Sequence, residues 1–158
     1  MADLGTTQKE AWAAMLVAHS TITRKIDRIL AAENLLSLQV YDVMLALEEA
    51  PDQRLRMGEL ADQVVFDPSS LTRLIDRLAK QGLVCREAHP NDKRSIFCCI
   101  TPKGLEARER TWPKYRELLQ EHFGKHISEG CAAKIRDGLM KAAGPNVRLS
   151  KINNCPKA

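Results

Sequence analysis

Apolar residues recur at helical spacing between residues 8 and 32, where Trp12, Met15, Leu16, His19, Ile22, Ile26, Ile29 and Leu30 form one stripe. Thr21, Arg24, Lys25 and Arg28 fall mostly off that stripe. A helix this long, set ahead of a compact domain, is a candidate for packing against a second chain. Leu35 and Leu36 break the pattern, and Ser37 is placed to cap a second helix that turns Val40, Val43, Met44 and Leu47 inward and ends near Ala50-Pro51-Asp52. Residues 57–65 predict a shorter helix. A fourth starts at Pro68 behind Asp67, an acceptor suited to capping, with proline where a missing amide proton costs least. In it Leu71, Leu74, Ile75 and Leu78 repeat at i, i+3, i+4 and i+7, while Ser69, Thr72, Arg73, Asp76 and Lys80 face the other way and Arg77 stands at the margin. Gln81-Gly82 closes it with a glycine suited to a left-handed position.

Beyond Gly82 the period changes. Leu83–Ala88 and Ser95–Ile100 predict two short strands joined by a basic loop, His89-Pro90-Asn91-Asp92-Lys93-Arg94. Two helices at helix-turn-helix spacing followed at once by a hairpin make a winged helix. Thr101-Pro102-Lys103-Gly104 starts a long helix over 102–124, interrupted or bent near Trp112-Pro113. Ser128 caps a last helix with Ala132, Ile135, Leu139 and Ala142 on its apolar side, ended by Gly144-Pro145. The tail to Ala158 is polar and expected to fray. The expected fold is mainly α with a small β-hairpin wing. It divides into an N-terminal dimerisation helix (1–34), a winged helix-turn-helix lobe (35–101), C-terminal dimerisation helices (102–145) and a tail (146–158).

Composition narrows the function. The 158 residues are 44% hydrophobic and 28% charged, as in a globular chain, and the net charge is only +4. A nucleic-acid partner therefore requires local rather than global positive charge. The helix at Pro68 supplies it, because small hydroxyls fit close to a groove and an arginine forks onto a guanine edge or a phosphate. An ordinary surface helix shows the same periodicity; the hairpin that follows is what favours DNA. Neither a secretory leader nor an apolar run of membrane-spanning length is present, and five irregularly spaced cysteines suit reduced thiols in the cytoplasm. There is no nucleophile–base set, no phosphate-cradling glycine loop and no convincing metal motif, so neither an enzyme nor a cofactor is expected.

The run Leu60-Ala61, Ser70-Leu71-Thr72-Arg73-Leu74-Ile75-Asp76-Arg77-Leu78, Gly82-Leu83-Val84-Cys85-Arg86, Asp92-Lys93-Arg94 and Ile100-Thr101-Pro102-Lys103-Gly104 closely resembles the MarR family of bacterial transcription regulators, in order and correctly spaced over about residues 35–105. The resemblance implies a homodimer in which the first and the last two helices interlock, and two winged lobes that read an inverted repeat in double-stranded DNA. It places Ser69, Ser70, Thr72, Arg73 and Arg77 in or beside the major groove and Arg94 in the minor groove. Asp92, which turn formation alone also explains, would hold Arg94; Arg86 and Lys93 would meet phosphates. Repression relieved by a small, often aromatic and anionic, ligand is the family's usual behaviour.

Three further features bear on a signal. Trp12, Met15 and His19, with Met44, could line an effector pocket, although the same stripe could simply seal a dimer. Cys98 and Cys99 in the second wing strand could sense oxidants. Alternation sends them to opposite faces, Cys98 inward and Cys99 more exposed, and neither has an activating base; the family's hydroperoxide-sensing branch carries its cysteine in the first helix, where this chain has none. His122 and His126 stand four apart, a spacing that can chelate zinc but without a supporting cluster reads as a solvated basic face. A winged helix serving as a protein-interaction module is the competing class, and would call for an apolar or acidic recognition face.

Overall fold

A computed structural model describes residues 4–64, 68–89 and 92–145, with the backbone alone described at Pro68, Ser69, His89 and 92–94. The capping role of Asp67 and the tail beyond residue 145 lie outside the described residues. Helices α1 (Thr6–Ala32) and α2 (Leu38–Glu49) are followed by strand β1 (Arg54–Arg56), helices α3 (Met57–Gln63) and α4 (Pro68–Lys80), strands β2 (Val84–His89) and β3 (Asp92–Ile100), and helices α5 (Pro102–His122) and α6 (Glu129–Ala143).

Local chemistry sets the boundaries. Asn34 takes a left-handed conformation after α1, and the amides of Asn34 and Leu35 return to the carbonyls of Ala31 and Leu30. Gly82 repeats this device after α4, with Gly82 and Leu83 bonding back to Ala79 and Leu78. Ser37 caps α2 by accepting from the Val40 amide, and Ser128 caps α6 by accepting from the Cys131 amide.

Two cores result. The lobe core joins Val43, Met44 and Leu47 of α2 to Leu60, to the inner face of α4 and to Val84, Cys98 and Ile100 of the sheet. The stem core joins Ile26 and Leu30 of α1 to Tyr41 and Leu45 of α2 and to Tyr115 and Leu118 of α5. Tyr41 stacks on Trp112 and meets Tyr115 edge-on. Helix α2 therefore belongs to both cores.

Strand β1 was not expected. Arg-Leu-Arg has no run of β-favouring residues, and it is a strand because it pairs antiparallel with β3, Leu55 opposite Cys98. The sheet order is β1-β3-β2, which makes β3 the central strand. The loop expected at His89–Arg94 shrinks, since β2 runs to His89 and β3 begins at Asp92, with an irregularity in register at Ala88/His89. Helix α5 continues through Pro113 from Pro102 to His122 instead of being interrupted there. Its start is locked onto the lobe. Thr101 Oγ1 donates to the Gly82 carbonyl at 2.7 Å and accepts from the Gly104 amide. A Cβ on Gly104 would lie 2.2 Å from the Leu83 carbonyl oxygen, so glycine is required by close approach.

Candidate nucleic-acid interface

The inner face of α4 is buried, with Leu71, Leu74, Ile75 and Leu78 at 2% exposure or less. Helical geometry then turns Ser70, Thr72, Arg73, Asp76, Arg77 and Lys80 outward, and all six are exposed. Arg77 and Lys80 occupy the last turn, where the helix dipole favours cations. Among the described residues Arg73 and Arg77 carry no ion pair. Asp76 pairs neither along the helix with Arg73 nor with Lys80, the partners its spacing offered; its carboxylate takes the Arg86 guanidinium of β2 at 2.8 Å. That contact braces the wing against α4 and puts Arg86 beside the same outward face. It escaped the sequence because it needs the return of β2 along α4. Ser69 lies in the first turn of α4, and Asp92, Lys93 and Arg94 open β3; their side chains lie outside the described residues.

The effector residues do not come together. Met15 and His19 line an apolar cleft of about 920 Å³ between α1, α5 and α6, with Ile22, Phe123, Ile135 and Leu139 among its other walls. Met44 is elsewhere, fully buried in the lobe core, because its position on α2 faces α3 and α4 rather than α1. Trp12 is 61% exposed and is not part of the cleft wall.

The thiols are poorly placed for oxidation. Cys98 is fully buried, as expected, and burial pushes its thiol up to about 12. Cys99 faces the outer side of the sheet but is only 7% exposed, because β1 flanks β3 on the side the sequence left open. Burial, reinforced by a hydrogen bond to Glu87, pushes Cys99 up to about 12 as well. Both shifts disfavour the thiolate that an oxidant sensor needs. His122 ends α5 and His126 sits in a separate 3-10 turn (Gly124–His126), so the helical four-residue pairing does not form.

This geometry has close counterparts. The MarR family model matches residues 36–96, the span from the start of α2 into β3. The HTH-type transcriptional repressor YetL of Bacillus subtilis is 29% identical over 128 residues, covering 78% of this chain and 72% of YetL. The multiple antibiotic resistance protein MarR of Salmonella typhimurium is 30% identical over 83 residues, 52% of this chain and 58% of that protein. Sco3205 of Streptomyces coelicolor, a MarR family transcriptional regulator solved in complex with DNA, superposes with a TM-score of 0.83 at 25% identity, over 95% of this chain and 96% of its own. Fold, lobe and relatives agree: residues 36–96 match the MarR family, and along most of its length the chain is similar to MarR family transcriptional regulators such as Sco3205.

Proposed function

We propose that this chain is a cytoplasmic, homodimeric repressor that reads an inverted-repeat operator and releases it when a small aromatic ligand binds. The outward face of α4, hydroxyls and arginines over a fully buried apolar side, carries this reading. In it Ser69, Ser70, Thr72, Arg73 and Arg77 approach the major groove, Arg86 and Lys93 meet phosphates, and Arg94, held by Asp92, enters the minor groove. An apolar protein-docking face, the competing use of a winged lobe, is not what α4 presents. That Sco3205 was solved on DNA supports the same use of the lobe here.

The dimer rests on a second observation. Leu4, Trp12, Leu16 and Val17 of the N-terminal end and Ile135 and Leu139 of α6 are between 37% and 65% exposed, and Leu16, Ile135 and Leu139 among them line the apolar cleft. A water-exposed apolar surface of this kind marks an association site, and a second copy of α1 and α6 is the occupant of matching character. Residues 1–34 and 102–145 would then form the dimer stem and 35–101 the reading lobe. An effector would enter beside Met15 and His19 and shift the spacing of the lobes; it must bind the released arrangement better than the DNA-bound one to do so.

Selection of bound sequences from a random duplex pool tests the reading. An enriched inverted repeat, its half-sites about one helical turn apart, with affinity falling steeply as salt rises, is the expected result. Salt-insensitive retention without enrichment would show that the lobe serves another partner.

A further inference from the structure

The outer face of the wing sheet carries a cluster that neither α4 nor the stem uses. Cys85 of β2 and Cys99 of β3 stand directly opposite each other in the antiparallel ladder. Glu87 follows Cys85 by two residues, so alternation puts it on the same face. One ligand atom from each, two sulfurs and a carboxylate oxygen, all lie within 4.8 Å of one another. Cys85 is open to solvent, so the cluster can be reached from outside although Cys99 is buried. Arg54 of β1 lies 3.5 Å from Glu87 and rests over the Phe97 ring at 4.9 Å from its centroid, which fixes the edge of the cluster.

We propose that Cys85, Cys99 and Glu87 form a binding site for a thiophilic divalent cation of the zinc class, held by two thiolates and one carboxylate with water in the fourth position. Ligand atoms around a tetrahedral zinc stand about 3.5–3.8 Å apart, so no pair in the cluster has to close by much more than about 1 Å. Sulfur donors select against magnesium and calcium. Two thiolates and a carboxylate leave one residual negative charge against a divalent ion, and the Arg54 guanidinium, shared between Glu87 and Asp52, lowers its cost. In the metal-free protein the Cys99 thiol donates to Glu87; on binding, both thiol protons leave to solvent and sulfur–metal bonds replace them, so affinity rises with pH. The ion would tie β2 to β3 at the base of the wing, whose far end carries Asp92–Arg94. The ligands are 85, 87 and 99, a set that only the cross-strand register brings together.

Cobalt(II) is the probe. The reduced full-length chain carrying Cys131→Ser and Cys155→Ser is titrated anaerobically, and thiolate-to-cobalt charge-transfer and tetrahedral ligand-field bands are expected to saturate at one equivalent and vanish on adding Zn²⁺. Cys85 and Glu87 are exposed, so Cys85→Ser and Glu87→Gln should keep the native circular dichroism. Cys85→Ser should lose about half the charge-transfer intensity. Glu87→Gln should keep the band and bind at least about tenfold more weakly. No stoichiometric charge-transfer band, or a band unchanged by Cys85→Ser, overturns the site.

Discussion

Replacing Glu48 probes how the reading lobe is fastened to the stem. The Arg108 side chain of α5 is completely buried, and its Nη2 donates to Glu48 Oε1 of α2 at 2.6 Å while Nε and Oε2 form the second arm of the ion pair. Burial works against the guanidinium charge, yet Tyr41 and Glu48 outweigh it and hold the group above its ordinary value. Breaking a buried pair from one side costs about 3–5 kcal/mol, because the remaining charge stays dry. The two sides are unequal here. Glu48 is 23% exposed, so after Arg108→Met water still reaches the carboxylate, whereas Glu48→Leu strands a guanidinium with no solvent access. We therefore expect about 3 kcal/mol from Glu48→Leu and about 1–2 kcal/mol from Arg108→Met. The double variant should lie within about 1 kcal/mol of the parent, since two apolar groups leave no orphaned charge. Urea unfolding at one fixed protein concentration measures all three, the concentration being held because the stability of the proposed dimer would depend on it. A double variant that loses the sum of the two single effects, to within about 0.5 kcal/mol, would refute the coupling.

Three other expectations follow from separate parts of the molecule. Arg73→Ala should relax base preference at one position of each half-site by about 1–3 kcal/mol, read by repeating the duplex selection, with thermal stability unchanged because the side chain is exposed. Leu139→Glu, at a position 44% exposed in the single chain, should give a monomer by light scattering if α6 meets a second copy, and a native dimer if it does not. Asp42, half-buried on α2, has its carboxyl pushed up from 3.8 to about 6 by desolvation. Between those values the folded state binds more protons than the unfolded one, so stability falls as pH rises from about 4 to about 6 and stays lower above, by roughly 2–3 kcal/mol. Asp42→Asn should flatten that slope and raise stability at neutral pH; an unaltered pH profile of unfolding would contradict the assignment.

The parts of the fold legible from the residues were those written in local chemistry. Ser37, Gly82 and Ser128 announce helix ends without reference to anything distant, and the i, i+3, i+4 repeat of α4 decides which of its side chains face out. What escaped depended on partners far along the chain. Strand β1 exists only because β3 lies beside it, and that same strand buries Cys99, whose face follows from alternation but whose shielding does not. The Asp76–Arg86 and Glu48–Arg108 pairs join residues brought together by folding, so helical spacing, which sets Asp76 near Arg73 and Lys80, does not reveal them. Met44 shows the limit of a one-dimensional stripe: its hydrophobicity was informative, but which of two cores it entered was not encoded in its neighbours.

Helix α2 gives Val43, Met44 and Leu47 to one core and Tyr41 and Leu45 to the other. No cut by residue number can therefore separate the reading lobe as an autonomous piece, because any junction that keeps α2 strips half of its cover. An engineer who grafts a relative's operator preference onto this stem should exchange α2 face by face, keeping Tyr41 and Leu45 from the host and taking the opposite face from the donor. The natural unit of exchange in this protein is a surface of a helix rather than a stretch of sequence.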